Sequence, residues 1–130
     1  MNKFENFARA LDNLADIYDY SEPYGNVELS GMVALFEICF EQSWKTMKEL
    51  LDRDGYREGK TGSPKLIIRT AYAAGMIPDE ELWLRALEDR NHVAHAYNEA
   101  IALSIVQNTK DNYYAMFRTL RETLERDWFL

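Results

Sequence analysis

The sequence predicts an all-α protein, an up-and-down bundle of four main helices with one or two short additions. Apolar residues recur at intervals of three and four along most of the chain, the mark of amphipathic helices. No stretch of useful length alternates as a strand would, and there is neither an internal repeat nor a low-complexity tract. With 130 residues and 47% hydrophobic content, the whole of 1–130 is expected to fold as one domain around one core.

The first helix is expected from about Asn2 to Tyr20, where Phe4, Phe7, Ala8, Leu11, Leu14, Ala15 and Tyr18 make one stripe. Pro23 and Gly25 then end the pattern. A second helix from about Val27 to Arg53 is long enough to span the domain. Its inner stripe is Leu29, Met32, Val33, Phe36, Phe40, Ser43, Met47, Leu50 and Leu51, with Trp44 at the edge. Glu37, Glu41, Lys45 and Lys48 fall largely away from that stripe. Methionine and aromatic residues at this spacing read as core, and Cys39, the lone cysteine, reads as one more small core residue.

Gly55, Gly59 and Gly62 mark a flexible loop. Ser63 followed by Pro64 is a start signal for a short third helix, a hydroxyl cap before a residue that lacks an N–H. Gly75 closes it, and Met76, Ile77 and Pro78 turn the chain. The acidic residues Asp79, Glu80 and Glu81 suit the positive end of a fourth helix, expected to run to Tyr97. Asn98 can cap a further short helix to about Gln107. The last helix takes Tyr113, Phe117, Leu120, Leu124 and Trp128 as its stripe.

The segment from Asp79 to Tyr97 carries strongly polar residues on its apolar side. Counted from Arg90 in a continuous helix, Tyr97 falls at about 340°, Ala94 at about 40°, Asn91 at about 100° and His95 at about 140°. Leu82, Trp83, Leu84, Ala86 and Leu87 occupy the same arc, whereas Glu81, Arg85, Glu88, Asp89 and His92 lie opposite, on the solvent side. A guanidinium, an amide, an imidazole and a phenol thus share a face, and small Ala94 leaves a gap between them. Buried without partners such groups would cost several kcal/mol, so a second chain, a partner protein or a phosphate is expected to face them. An internal network, with Arg90 paired to a carboxylate and His95 satisfied in the core, is the bland alternative.

Composition excludes several functions. A net charge of −7 opposes non-specific binding to nucleic acid or anionic membrane. The local exception is Arg53 to Arg69, where five basic residues meet two acidic ones, although an ordinary solvated loop accounts for it as well. No apolar run approaches the roughly 18 residues of a membrane span, and the amino terminus does not read as a signal peptide, so a cytoplasmic protein is expected. His92 and His95 stand three apart with no cysteine nearby and no H-E-x-x-H, so no metal site is expected. No cofactor is implied, because no glycine-rich phosphate loop follows a strand.

Two motifs carry a resemblance. E-L-W-L-x-x-L-E-D-R-N-x-x-x-H-x-Y at Glu81 to Tyr97 and F-E-x-x-F-E-x-x-W-K at Phe36 to Lys45 resemble the nucleotidyltransferase substrate-binding protein family, a branch of the HEPN superfamily. The segment S-P-x-x-x-I-R-x-A at Ser63 to Ala71 extends the likeness over nearly the whole chain. The sequence departs from it around the histidine, where small polar residues are often found but Val93, Ala94 and Ala96 stand here.

The resemblance implies a helical bundle that forms a homodimer and pairs with a separately encoded minimal nucleotidyltransferase. It also implies two functional possibilities. One is a metal-independent ribonuclease toxin of a toxin-antitoxin-like module, with Arg90 as phosphate clamp, His95 as acid/base, Asn91 as orienter and Tyr97 as a phenol silenced by adenylylation. The other is a non-catalytic subunit that positions a substrate for the nucleotidyltransferase with the same face. The residue types suit the first, since imidazole titrates near neutrality and guanidinium grips phosphate in a fork. One chain supplies one His95 to the motif, so an acid and a base would come from two chains.

Overall fold

The computed structural model of the chain describes residues 2–129. The main helices are α1 (Lys3–Leu14), α2 (Asn26–Arg53), α4 (Pro64–Ala73), α5 (Glu80–Asn91), α6 (Glu99–Asn108) and α7 (Tyr114–Thr123), with a one-turn helix α3 (Glu58–Thr61) after α2. No strand is present among the described residues. Four of the starts follow from side-chain caps. Asn2 accepts from the Glu5 N–H at 2.8 Å, Ser63 from Leu66 at 3.4 Å, Asp79 from Leu82 at 3.1 Å, and Asn98 from Ala100 and Ile101 at 2.9 and 3.3 Å.

Helix α2, 28 residues long, is the central rod, against which α1, α4, α5 and α6 all pack. Every residue of its expected inner stripe is buried, and Cys39 and Thr46 join them. The centre of the core is aromatic. Phe36 stacks on Tyr113 at 5.4 Å between centroids, Trp83 meets Phe117 edge-on at 5.6 Å, and Phe7 reaches Phe117 at 6.5 Å. These contacts join α1, α2, α5 and α7 through side chains that each bury a large apolar area.

Three expectations are corrected. The first helix tightens into a 3₁₀ turn at Ala15–Asp19, so the stripe shifts by a residue. Ile17 is buried, while Tyr18 is about half exposed, with its hydroxyl donating to the Lys110 carbonyl at 2.7 Å and its ring against Tyr114. The glycine-rich segment is a packed turn and not the flexible loop that three glycines suggest. A Cβ on Gly59 would lie 2.3 Å from the Asp52 backbone nitrogen, so only glycine lets α3 approach α2 this closely. Lys48 then caps the turn, donating to the Gly59 and Lys60 carbonyls at 2.9 Å each.

The last correction joins the two carboxy-terminal helices. A π-helical turn at Thr109–Tyr113 links α6 to α7, and a second continues from Leu124 to Trp128, giving one rod from Glu99 to Trp128. No glycine or proline lies between Gln107 and Tyr113 to interrupt it, and the buried Thr109 hydroxyl donates to the Ile105 carbonyl at 2.7 Å. No helix among the described residues is long and apolar enough to cross a membrane.

Candidate functional site

The expected helix from Asp79 to Tyr97 stops at Asn91. His92 closes it, its N–H reaching the Glu88 and Asp89 carbonyls at 3.2 and 3.1 Å. A 3₁₀ turn at Val93–His95 follows, and the Asn98 cap opens α6 in a new direction. The continuous helical count therefore fails beyond Asn91, and the polar residues do not share one buried face. Val93 and Ala96 are half-buried and hold the turn to the core; Ala94, His95 and Tyr97 are exposed, Tyr97 to 87%.

The structure places the four residues in two pairs, one at the end of α5 and one on the turn that follows it. On the last turn of α5, Arg90 donates from Nη1 to the Asn91 Oδ1 at 3.2 Å. On the turn that follows, the His95 and Tyr97 rings meet edge-on, centroids 6.3 Å apart and planes at 71°. Arg90 is only partly exposed because it forms an ion pair through Nη2 with Glu41 of α2. Glu41 in turn accepts from the Trp44 indole N–H at 3.2 Å. The arginine thus has the carboxylate partner of the bland alternative, whereas the histidine stands in solvent.

Two residues outside the expected set shape this region. Periodicity puts Glu41 on the outer side of α2, and its signal in the sequence is its place, with Trp44, among the fixed positions of the motif at Phe36 to Lys45. Periodicity likewise puts Asp89 on the solvent arc of its helix. It is half-buried instead, and its Oδ2 accepts from the Asn108 amide at 3.0 Å and the Tyr113 hydroxyl at 2.6 Å. Its partners lie 19 and 24 residues on, beyond any local pattern. Burial, then the hydrogen bond to the Asp89 carboxylate, pushes the Tyr113 hydroxyl well above its ordinary range, so this phenol stays a neutral donor. The clamp fixes the end of α5, and with it Arg90, against the rod of α6 and α7.

The basic segment after α2 is partly tied into the fold. Arg53 pairs with Asp54 at 2.9 Å and donates to the Trp128 carbonyl, and Lys60 approaches Asp52 at 3.4 Å. Among the described residues no group of three or more His, Cys, Asp and Glu side chains is placed to hold a metal ion. What the α5 end offers is a held cation beside an amide, then an exposed imidazole in contact with an exposed phenol.

Compared with known proteins, residues 2–126 match the family described as nucleotidyltransferase substrate binding protein like. A Haemophilus influenzae protein named "Probable ribonuclease HepT" is 29% identical over 85 residues, which are 64% of this chain and 58% of that protein's length. A crystal structure of a Thermus thermophilus protein superposes with a TM-score of 0.74 at 32% identity, covering 92% of this chain and 97% of that one. HI0074 of Haemophilus influenzae, described as having the fold of a substrate binding domain of a nucleotidyltransferase, has a TM-score of 0.71 at 23% identity. That alignment covers 95% of this chain and 94% of HI0074, and it speaks to the fold.

Proposed function

The chain belongs to the nucleotidyltransferase substrate-binding protein family, and from that premise we propose that it is a cytoplasmic, metal-independent ribonuclease toxin paired with a separately encoded minimal nucleotidyltransferase. The observation that carries the reading is the exposed His95 and Tyr97 pair on the turn directly after Arg90. An imidazole in solvent can exchange protons, and a phenol exposed to 87% can accept a bulky group.

The chemistry follows from the residue types. Arg90, oriented with Asn91, holds the phosphate. One His95 removes the 2′-hydroxyl proton as that oxygen bonds to phosphorus, and a second His95 gives a proton to the 5′-oxygen as its bond breaks. The products are a 2′,3′-cyclic phosphate and a 5′-hydroxyl. The second imidazole comes from a second chain, and α2 carries a surface suited to one. Val27 (83% exposed), Gly31, Ala34 and Ile38 (50% exposed) form an apolar strip that ends one turn before Glu41. Adenylylation of Tyr97 by the nucleotidyltransferase would put a phosphate and a nucleotide beside His95 and so silence the site.

The net charge of −7 favours the second reading, a non-catalytic subunit that positions a substrate for the nucleotidyltransferase. One experiment separates them. Protein purified without its partner should cleave an RNA oligonucleotide in EDTA, and His95→Ala and Arg90→Ala should lose about 10²-fold or more in rate. Equal decay in all three samples overturns the nuclease reading and leaves the binding subunit.

A further inference from the structure

We propose that Glu41, braced by Trp44, is the positioning residue of Arg90. The proposal deepens the ribonuclease reading, on which its kinetic arm rests. Glu41 and Arg90 come from different helices, and neither side chain is more than about a quarter exposed. The two carboxylate oxygens of Glu41 do different work. Oε1 meets Nη2 of Arg90, and Oε2 takes the Trp44 indole N–H at 3.2 Å. Trp44 lies one turn further along α2, itself half-buried against the core, so the indole stops the carboxylate from turning outward. On the other side of the guanidinium, Nη1 donates to Asn91 at 3.2 Å.

An arginine on a helix end has many rotamers, and a phosphate that had to select one would bind a site not yet formed. Here the selection is made during folding, which is the preorganisation that phosphate catalysis uses. A fixed carboxylate this close to the cation also repels a phosphate. Glu41 therefore orients Arg90 at some cost in ground-state binding, which gives the role a kinetic signature.

Glu41→Ala should lower kcat for RNA cleavage by about 10- to 100-fold while KM stays level or falls. Trp44→Phe, which keeps the ring but loses the indole donor, should fall between the wild type and Glu41→Ala. Because Glu41 acts through Arg90, the double variant Glu41→Ala/Arg90→Ala should be no slower than Arg90→Ala alone. Multiplying losses, or a raised KM at unchanged kcat, would overturn the proposal. A second readout needs no activity: NMR relaxation of the Arg90 side-chain Nε–H should report a rigid group in the wild type and a mobile one in Glu41→Ala and Trp44→Phe. Equal order in all three would overturn the proposal even if RNA is cut. If the wild type cuts no RNA but Arg90 loosens as expected, the positioning role stands and the nuclease reading falls.

Discussion

The Tyr113 hydroxyl donates to the Asp89 carboxylate at 2.6 Å, tying the π-helical turn of the carboxy-terminal rod to the last turns of α5, one residue before Arg90. The accepting Asp89 Oδ2 also takes the Asn108 amide at 3.0 Å, so one carboxylate satisfies two donors on the opposing rod. Asp89→Ala strands both of them and should cost about 2–4 kcal/mol, while Tyr113→Phe removes a single bond and should cost about 1–2 kcal/mol. Urea unfolding measures both; a loss under about 0.5 kcal/mol for Asp89→Ala would show the clamp to be slack.

Stability should decline at alkaline pH through groups that the fold keeps protonated. Burial pushes the Cys39 thiol well above its ordinary 9.0, and burial with the Asp89 bond raises the Tyr113 phenol above 10.0. A raised folded pKa means that this stability is whole below the unfolded value and is lost as pH rises towards the folded one. Urea midpoints should therefore be flat up to about pH 8 and fall from about pH 9, with Cys39→Ala falling less steeply at first and Tyr113→Phe less steeply above about pH 10. A flat profile to about pH 10.5 would contradict the assignment.

Two glycines should respond in opposite directions. Gly59→Ala forces a Cβ to within 2.3 Å of the Asp52 nitrogen, a backbone atom that cannot swing aside, and should cost about 2 kcal/mol or more. Gly31→Ala, inside α2 with nothing of its own chain within 4 Å, should gain about 0.5–1 kcal/mol when measured in the monomeric Ile38→Lys background. Thermal or urea unfolding of the pair decides it, and a harmless Gly59→Ala would mean that α3 does not pack as described.

Tyr97→Phe should leave stability within about 0.5 kcal/mol of the wild type, because the side chain is 87% exposed. Co-expression with an active nucleotidyltransferase from the same module should add one or more AMP units to the wild type and none to Tyr97→Phe. Intact-mass spectrometry reads the difference, and a shift that survives the substitution would place the modification elsewhere.

The apolar strip on α2 should be where two chains meet. Sedimentation is expected to give a dimer at micromolar protein and a monomer for Ile38→Lys, which sets an unpaired charge at the carboxy-terminal end of the strip. A dimer that tolerates Ile38→Lys would locate the contact on another face.

Periodicity alone determined much of this protein. The all-α class, the inner stripe of α2 and the caps at Ser63 and Asn98 are local facts, each set by residues within a turn or two, and the structure keeps them. The motif from Glu81 to Tyr97 likewise marked the family and the region of the candidate site before any geometry was known. What tertiary structure decided lies where distant segments meet. A helical count cannot foresee that α5 stops at Asn91, because the stop depends on how Val93 and Ala96 seat against the core and on the new direction of α6. Nor can it find partners: Glu41 is some fifty positions from Arg90, and Asp89 reads as a solvent residue until Asn108 and Tyr113 fold back onto it. A charge on a helix carries its identity in the sequence, but whether it is solvated or buried depends on the helix packed against it.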